Sequence, residues 1–302
     1  MSALRLSGTF TAIVTPFTPD GESIDLAALD ALVEAQIAGG VTGLVPCGTT
    51  GEAPTLTDEE QIVVIERTVA AAAGRVPVLA GTGSFSTKKT IAASRAAVAA
   101  GADGVMVVMP YYNKPSQEGL REHVLAVAGA VACPIVLYNI PGRSVVDLGA
   151  DATARICEAA PHVIGLKDAT GNVLRCQELK RRLGDRLTVM CGDDGLTLPM
   201  MSVGASGVIS VSSNVRPREV SEVTRLVLAG DWQGARAAHL VLLELHAILF
   251  AEPNPAPTKA ALAAAGKMSA SVRLPLAPAS EALRKQLAEV MARLEASFSR
   301  AR

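Results

Sequence analysis

One pattern limits the fold of this chain more than any other: a short apolar, β-rich run followed by an Ala- and Leu-rich helical stretch, repeated along its length. The runs are Gly8–Phe17, Gly43–Cys47, Val76–Gly81, Gly104–Met109, Pro134–Asn139, Val163–Lys167, Leu187–Cys191 and Gly207–Val211. They recur at intervals of about 20 to 35 residues. Between them Asp58–Ala73 and Thr87–Ala100 read as helices, the first with a capped, acidic start at Leu56-Thr57-Asp58-Glu59-Glu60. Gly39-Gly40, Gly74, Gly101 and Gly184 stand where helices should stop. Alternation of strand and helix calls for a parallel sheet, since each crossover returns the chain to the same edge of the layer. Six strands would complete a doubly wound sheet. Eight units without a long low-complexity linker instead predict an α/β chain of the (β/α)8 TIM-barrel type. After Asn214 the strand signal stops, and residues 217–302 read as helical, clearest at Trp232–Leu249 and Ser280–Ser297, with a Pro-rich break at Pro253–Pro257. The expected division is a catalytic barrel over residues 1–225 and a C-terminal helical extension over 226–302.

Composition narrows the function mainly by exclusion. With 28 basic and 29 acidic residues and no long run of either sign, the chain has no electrostatic footprint for nucleic acid or anionic lipid. Apolar stretches such as Val203–Val211 are too short and too rich in Gly and Ser to span a bilayer. Met1–Phe10 does not read as a secretory leader. The five cysteines (Cys47, Cys133, Cys157, Cys176, Cys191) are scattered and form no C-x-x-C pair, so reduced, mostly buried thiols in a cytoplasmic protein are expected. Gly81-Thr82-Gly83-Ser84-Phe85-Ser86 begins like a dinucleotide loop but lacks the third glycine. His239 and His246 lie seven apart on one predicted helix, and four histidines in all make a poor ligand set. Neither a metal nor a cofactor is expected.

Barrel enzymes build their sites at the C-terminal strand ends. Here those ends carry Gly48-Thr49-Thr50-Gly51-Glu52, Pro110-Tyr111-Tyr112-Asn113, Tyr138-Asn139, Lys167-Asp168 and Gly192-Asp193-Asp194. All three tyrosines of the chain fall at the fourth and fifth ends, either as part of the chemistry or as amphipathic plugs of the rim. Lys167 ends the apolar strand Val163-Ile164-Gly165-Leu166 and shares parity with Val163 and Gly165. If the small Gly165 faces the barrel interior, so does Lys167. A dry pocket disfavours the ammonium form, and a neutral amine attacks a ketone to form an imine. The alternative is a strand-end lysine snorkelling to solvent. Gly48-Thr49-Thr50-Gly51 either offers backbone N–H groups and two hydroxyls to a carboxylate or is an ordinary turn before a helix. Spacing leaves both questions open.

Taken in order, these motifs resemble the dihydrodipicolinate synthase and N-acetylneuraminate lyase family. The likeness runs from Gly8 to about Leu276. It includes the Gly48–Glu52 turn, Pro110-Tyr111-Tyr112-Asn113-Lys114-Pro115, Tyr138-Asn139-Ile140-Pro141, Gly165-Leu166-Lys167-Asp168-Ala169-Thr170-Gly171, Gly192-Asp193-Asp194, Gly207–Val211 and Asn254-Pro255. The resemblance implies that Lys167 forms a Schiff base with pyruvate, so that no cofactor is needed. Tyr138 would shuttle protons in a relay with Thr49 and Tyr112, the latter entering a neighbouring subunit of a homotetramer. Thr50 would hold the pyruvate carboxylate, and Gly192 and Ile209 would line its pocket. Arg143, in Pro141-Gly142-Arg143-Ser144, would bind the carboxylate of L-aspartate 4-semialdehyde, a task suited to a guanidinium. Val145 departs from the glycine of many members and leaves room for another acidic aldehyde. The reaction implied is the condensation of pyruvate with that semialdehyde on the lysine and diaminopimelate route. Alternatives are a pyruvate aldolase or dehydratase acting on a sugar acid or hydroxy-oxoglutarate, and a silent barrel that senses a keto acid. Lysine-inhibited members use a glutamate, two histidines and an asparagine, where this chain has Lys89, Asp58, Gln61 and Phe85. Insensitivity to L-lysine is therefore expected.

Overall fold

The computed structural model describes residues 4–300. The first half of the chain runs β1 (Gly8–Ala12), α1 (Leu26–Ala38), β2 (Gly43–Val45), α2 (Asp58–Ala72), β3 (Leu79–Gly81), α3 (Thr87–Ala99), β4 (Gly104–Val108) and α4 (Gln117–Ala128). It continues through β5 (Ile135–Asn139), α5 (Pro141–Ser144), α6 (Ala150–Ala159), β6 (Val163–Asp168), α7 (Val173–Leu183), β7 (Thr188–Cys191), α8 (Thr197–Ser202) and β8 (Gly207–Ser210). Four helices follow: α9 (Pro217–Leu228), α10 (Trp232–Ile248), α11 (Ala256–Ala264) and α12 (Glu281–Arg300). The strands pair in parallel in the order β2-β1-β8-β7-β6-β5-β4-β3. A bridge between Leu44 and Val78, and a 2.9 Å bond from Gly81 N to Pro46 O, join the two ends. The sheet therefore closes as the (β/α)8 barrel expected from the eight-fold repeat.

Seven of the eight strands are shorter than their apolar runs, β1 and β3 by the most. β1 stops at Ala12 rather than Phe17 because, after Ile13 N has bonded Val45 O at 3.1 Å, Val14 N turns to the Asn214 side chain at 3.1 Å, and Pro16 has no N–H to give. β3 starts at Leu79 rather than Val76 because Pro77 interrupts the ladder. The start of α2 is as expected, with Thr57 as its cap: Thr57 and Glu60 exchange side-chain to backbone bonds at 2.9 and 3.2 Å.

Side chains separate into two layers. Phe10, Val45, Leu79, Met106, Val136 and Met190 fill the barrel interior. A larger cluster lies between strands and helices and continues without a break into Leu242 and Leu245 of α10 and Leu283 and Leu287 of α12. The extension is thus packed on the barrel. The expected division at residue 225 falls inside α9, which packs on β1 and completes the eighth βα unit.

Candidate active site

Lys167 sits in regular strand. Its rung of the barrel pairs Tyr138 on β5 with Lys167 on β6 and Met190 on β7, and both neighbours belong to the interior layer. Gly165, two residues below, also faces inward; a Cβ there would lie 2.4 Å from the Leu6 side chain. The parity argument holds for this pair but not for Val163, which packs in the outer layer. The reason is a bulge: Ile135 pairs with Val163 and Val136 with Gly165, leaving Ile164 as an extra residue on β6. Lys167 is only 4% exposed, and its Nζ lies 4.3 Å from the centroid of the Tyr138 ring.

The next residues are fixed by polar contacts. Asp168 is buried and accepts from Thr170 N at 2.9 Å and Thr170 Oγ1 at 2.6 Å. Its other oxygen lies 3.4 Å from Arg175 Nε, and Arg175 reaches Asp147 at 3.2 Å. Asn139, at the end of β5, donates to the same Asp147 at 2.6 Å. Gly192 is required because β7 crosses β6 closely here: its N donates to Asp168 O at 2.7 Å, and a Cβ would stand 2.7 Å from that of Ala169. Ile209 is buried in the interior layer on β8. Just past it, the Asp194 carboxylate accepts from the Ser210 hydroxyl, from Val211 N at 2.8 Å and from Ser212 N at 3.2 Å, tying the β7 loop to β8.

The hydroxyl turn after β2 is built differently. Thr49 is half-buried and Thr50 buried. Cys47 and Glu52, on either side, hold φ of 54° and 55°, a region that costs a non-glycine residue strain. Thr15 Oγ1 donates to Gly51 O at 2.7 Å, and Asn254 Nδ2 donates to Thr50 Oγ1 at 2.9 Å. Burial pushes the Cys47 thiol up to about 12, so the sulfur beside this turn is no nucleophile near neutral pH. All five cysteines are buried and unpaired.

A cavity of about 540 Å³ opens at this face. Its lining includes Thr49, Tyr138, Ile140 and Arg143. Lys89, Asp58, Gln61, Phe85 and Tyr111 line the same space, with the Phe85 and Tyr111 rings edge to face at 5.6 Å. Lys89 is exposed in the single chain. Arg143 rides on α5, whose C-cap Val145 has φ 65° and is 65% exposed. A backbone demand that suits glycine therefore falls on this position, and Val145 meets it under strain. Tyr112 has φ 71° and is 91% exposed, so the single chain does not bring it to the relay. Gly83 serves strand packing rather than phosphate binding; a Cβ there would lie 2.3 Å from Val108 N.

Lys259 and Arg273 escaped the sequence reading, and Asn254 entered it only within the Asn254-Pro255 motif, with no role given. Lys259 and Glu52 form an ion pair with both side chains fully buried. Arg273 N donates to Glu52 Oε2 at 3.0 Å, and its guanidinium grips Glu60 through two 2.7 Å bonds. The available signal was a single lysine inside the otherwise uncharged stretch Ala256–Leu262.

The fold and the site together define a (β/α)8-barrel enzyme with a buried lysine at its C-terminal mouth. Residues 5–294 match the model of the Dihydrodipicolinate synthetase family, and the chain belongs to that family. It is 75% identical over 296 residues to 4-hydroxy-tetrahydrodipicolinate synthase of Sorangium cellulosum (strain So ce56), with 98% of each chain covered. The 4-hydroxy-tetrahydrodipicolinate synthase of the thermoacidophilic methanotroph Methylacidiphilum fumariolicum SolV superposes with a TM-score of 0.96 at 43% identity, covering 98% of each chain. The chloride-inhibited dihydrodipicolinate synthase of Acinetobacter baumannii, solved with pyruvate, gives 0.94 at 43% identity over 96% of this chain and 99% of that one. Among the described residues no helix is long and apolar enough to cross a membrane.

Proposed function

We propose that this chain is a class I lyase that condenses pyruvate with L-aspartate 4-semialdehyde to give 4-hydroxy-tetrahydrodipicolinate, on the route to diaminopimelate and lysine. The observation that carries the reading is the 4%-exposed Lys167 amine against the Tyr138 ring at the mouth of the barrel. The 75% identity of the chain to a named synthase gives the same direction.

Lys167 Nζ adds to the ketone carbon of pyruvate and water leaves, forming an imine. The iminium draws electrons from the methyl carbon, which loses a proton and becomes the enamine nucleophile. That carbon bonds to the aldehyde carbon, whose oxygen takes up a proton. The amine of the semialdehyde then displaces Lys167 and closes the ring. Tyr138 moves protons at the imine, in a relay with Thr49 and the partner subunit's Tyr112. A 91%-exposed tyrosine on a strained loop is free to serve a neighbouring site in a homotetramer. Thr50 holds the pyruvate carboxylate, with Gly192 and Ile209 closing the pocket, and Arg143 takes the carboxylate of the semialdehyde. The imine is the electron sink, so neither metal nor cofactor enters, and the enzyme works in the cytoplasm. An assay of purified protein with pyruvate and a panel of aldehydes, with and without EDTA, tests the reading. Turnover should be fastest with aspartate semialdehyde and survive chelation. Dependence on an added divalent ion would remove the class I mechanism, and preference for a sugar-acid aldehyde would change the substrate.

A further inference from the structure

The hydroxyl assigned to the keto-acid carboxylate is governed from outside the barrel. Thr50 is buried, and its Oγ1 accepts from Asn254 Nδ2 at 2.9 Å. A hydroxyl carries one hydrogen. Because Asn254 is the donor in this bond, the Thr50 hydrogen is left without an acceptor among the described residues. A buried donor left unspent costs stability, and a ligand carboxylate is the acceptor that would relieve it. Asn254 comes from the turn between α10 and α11, 204 residues away in sequence.

The same two segments are pinned a second time. Glu52, at the end of the hydroxyl turn, pairs with Lys259 on α11, and neither side chain is exposed. Lys259 Nζ also donates to Ser271 O at 2.9 Å and lies 4.0 Å from the Phe17 ring centroid. Burial lowers the Lys259 pKa to about 8 against the opposing pull of Glu52. A pair that costs this much desolvation is a weak source of stability. What it does supply is geometry: it holds the strained turn, with Glu52 at φ 55°, against the segment that carries Asn254.

We infer that Asn254 is a positioning residue for keto-acid binding: by donating to Thr50 it turns the Thr50 hydrogen toward the substrate carboxylate, and the Glu52–Lys259 pair sets the distance. The inference rests on the assignment of Thr50 made above. Borohydride trapping over a range of pyruvate concentrations reads this binding apart from the later steps. In Asn254→Asp the carboxylate has no hydrogen to give, so Thr50 donates to it and is lost to the substrate. The pyruvate concentration for half-maximal trapping should rise by about tenfold or more, with little change in the maximal rate. Thr50→Val should do the same, and the double variant should be no worse than either single one, because both remove the same hydrogen bond. Asn254→Ala, which adds no charge, covers the case in which the aspartate variant does not fold; thermal denaturation checks each protein. Unchanged half-saturation in the Asn254 variants, or fully additive losses in the double variant, would overturn the inference while leaving the proposed function intact. Failure of the wild-type protein to trap pyruvate on Lys167 would remove both.

Discussion

Two sides of the barrel mouth are held in place by different means. On one side Lys167 and Tyr138 share one rung of neighbouring strands, fixed by the ladder, with Thr170 holding the adjacent Asp168. On the other side the residues assigned to recognition ride on loops. Of the six non-glycine residues with positive φ among those described, five lie in the loops after β2, β4 and β5: Cys47, Glu52, Tyr112, Lys114 and Val145. Strained backbone persists only where its surroundings over-determine it. For the β2 turn those surroundings are Asn254, Lys259 and Arg273, all from the extension. The proposed roles divide along this line: the imine-forming Lys167 with Tyr138 on the rigid ladder, the carboxylate-reading Thr50 and Arg143 on the loops after β2 and β5, the first of which distant segments keep in shape.

That division is open to test from the loop side. Arg143→Ala should lower kcat/KM for aspartate semialdehyde by about tenfold to a hundredfold, the cost of one charge-assisted contact. Trapping of pyruvate by borohydride should be unaffected. If trapping falls as well, the two sides are not separable; if neither changes, Arg143 belongs to the surface.

A smaller effect is expected in the part of the cavity lined by Lys89, Asp58, Gln61 and Phe85, the positions that the resemblance matches to the lysine-binding set of inhibited members. Lys89 brings a charge of the same sign as the lysine ammonium. Its exposure in the single chain means that repulsion, and no burial cost, carries the argument. Initial rates should stay flat as L-lysine is titrated to about 1 mM, an affinity limit of roughly 4 kcal/mol. Half-inhibition below that concentration would mean that the loop-lined side holds a lysine site made from other residues.

How much of this was legible in the sequence follows the same line. The barrel was readable because each βα unit writes its own periodicity; for Lys167 parity with Gly165 left the direction open, and the run of family-like motifs singled it out. Even there the bulge at Ile164, a property of the pairing with β5, was invisible, so Val163 was placed on the wrong face. That Val145 stands in a left-handed cap was not visible either, since φ leaves no trace in residue type once glycine is gone. Local pattern marks Asn254 only as part of a motif and Lys259 only as a lone lysine, and joins neither to its partner. Their partners, Thr50 and Glu52, lie about 200 residues away, and only closure of the fold brings them together.

The central claim concerns the ladder-held lysine. Incubation with pyruvate and borohydride, followed by peptide mass mapping, tests it directly, because reduction turns a transient imine into a stable amine. The account predicts one reduced pyruvyl group per chain, on Lys167. An adduct on another lysine, or none at all, would contradict it.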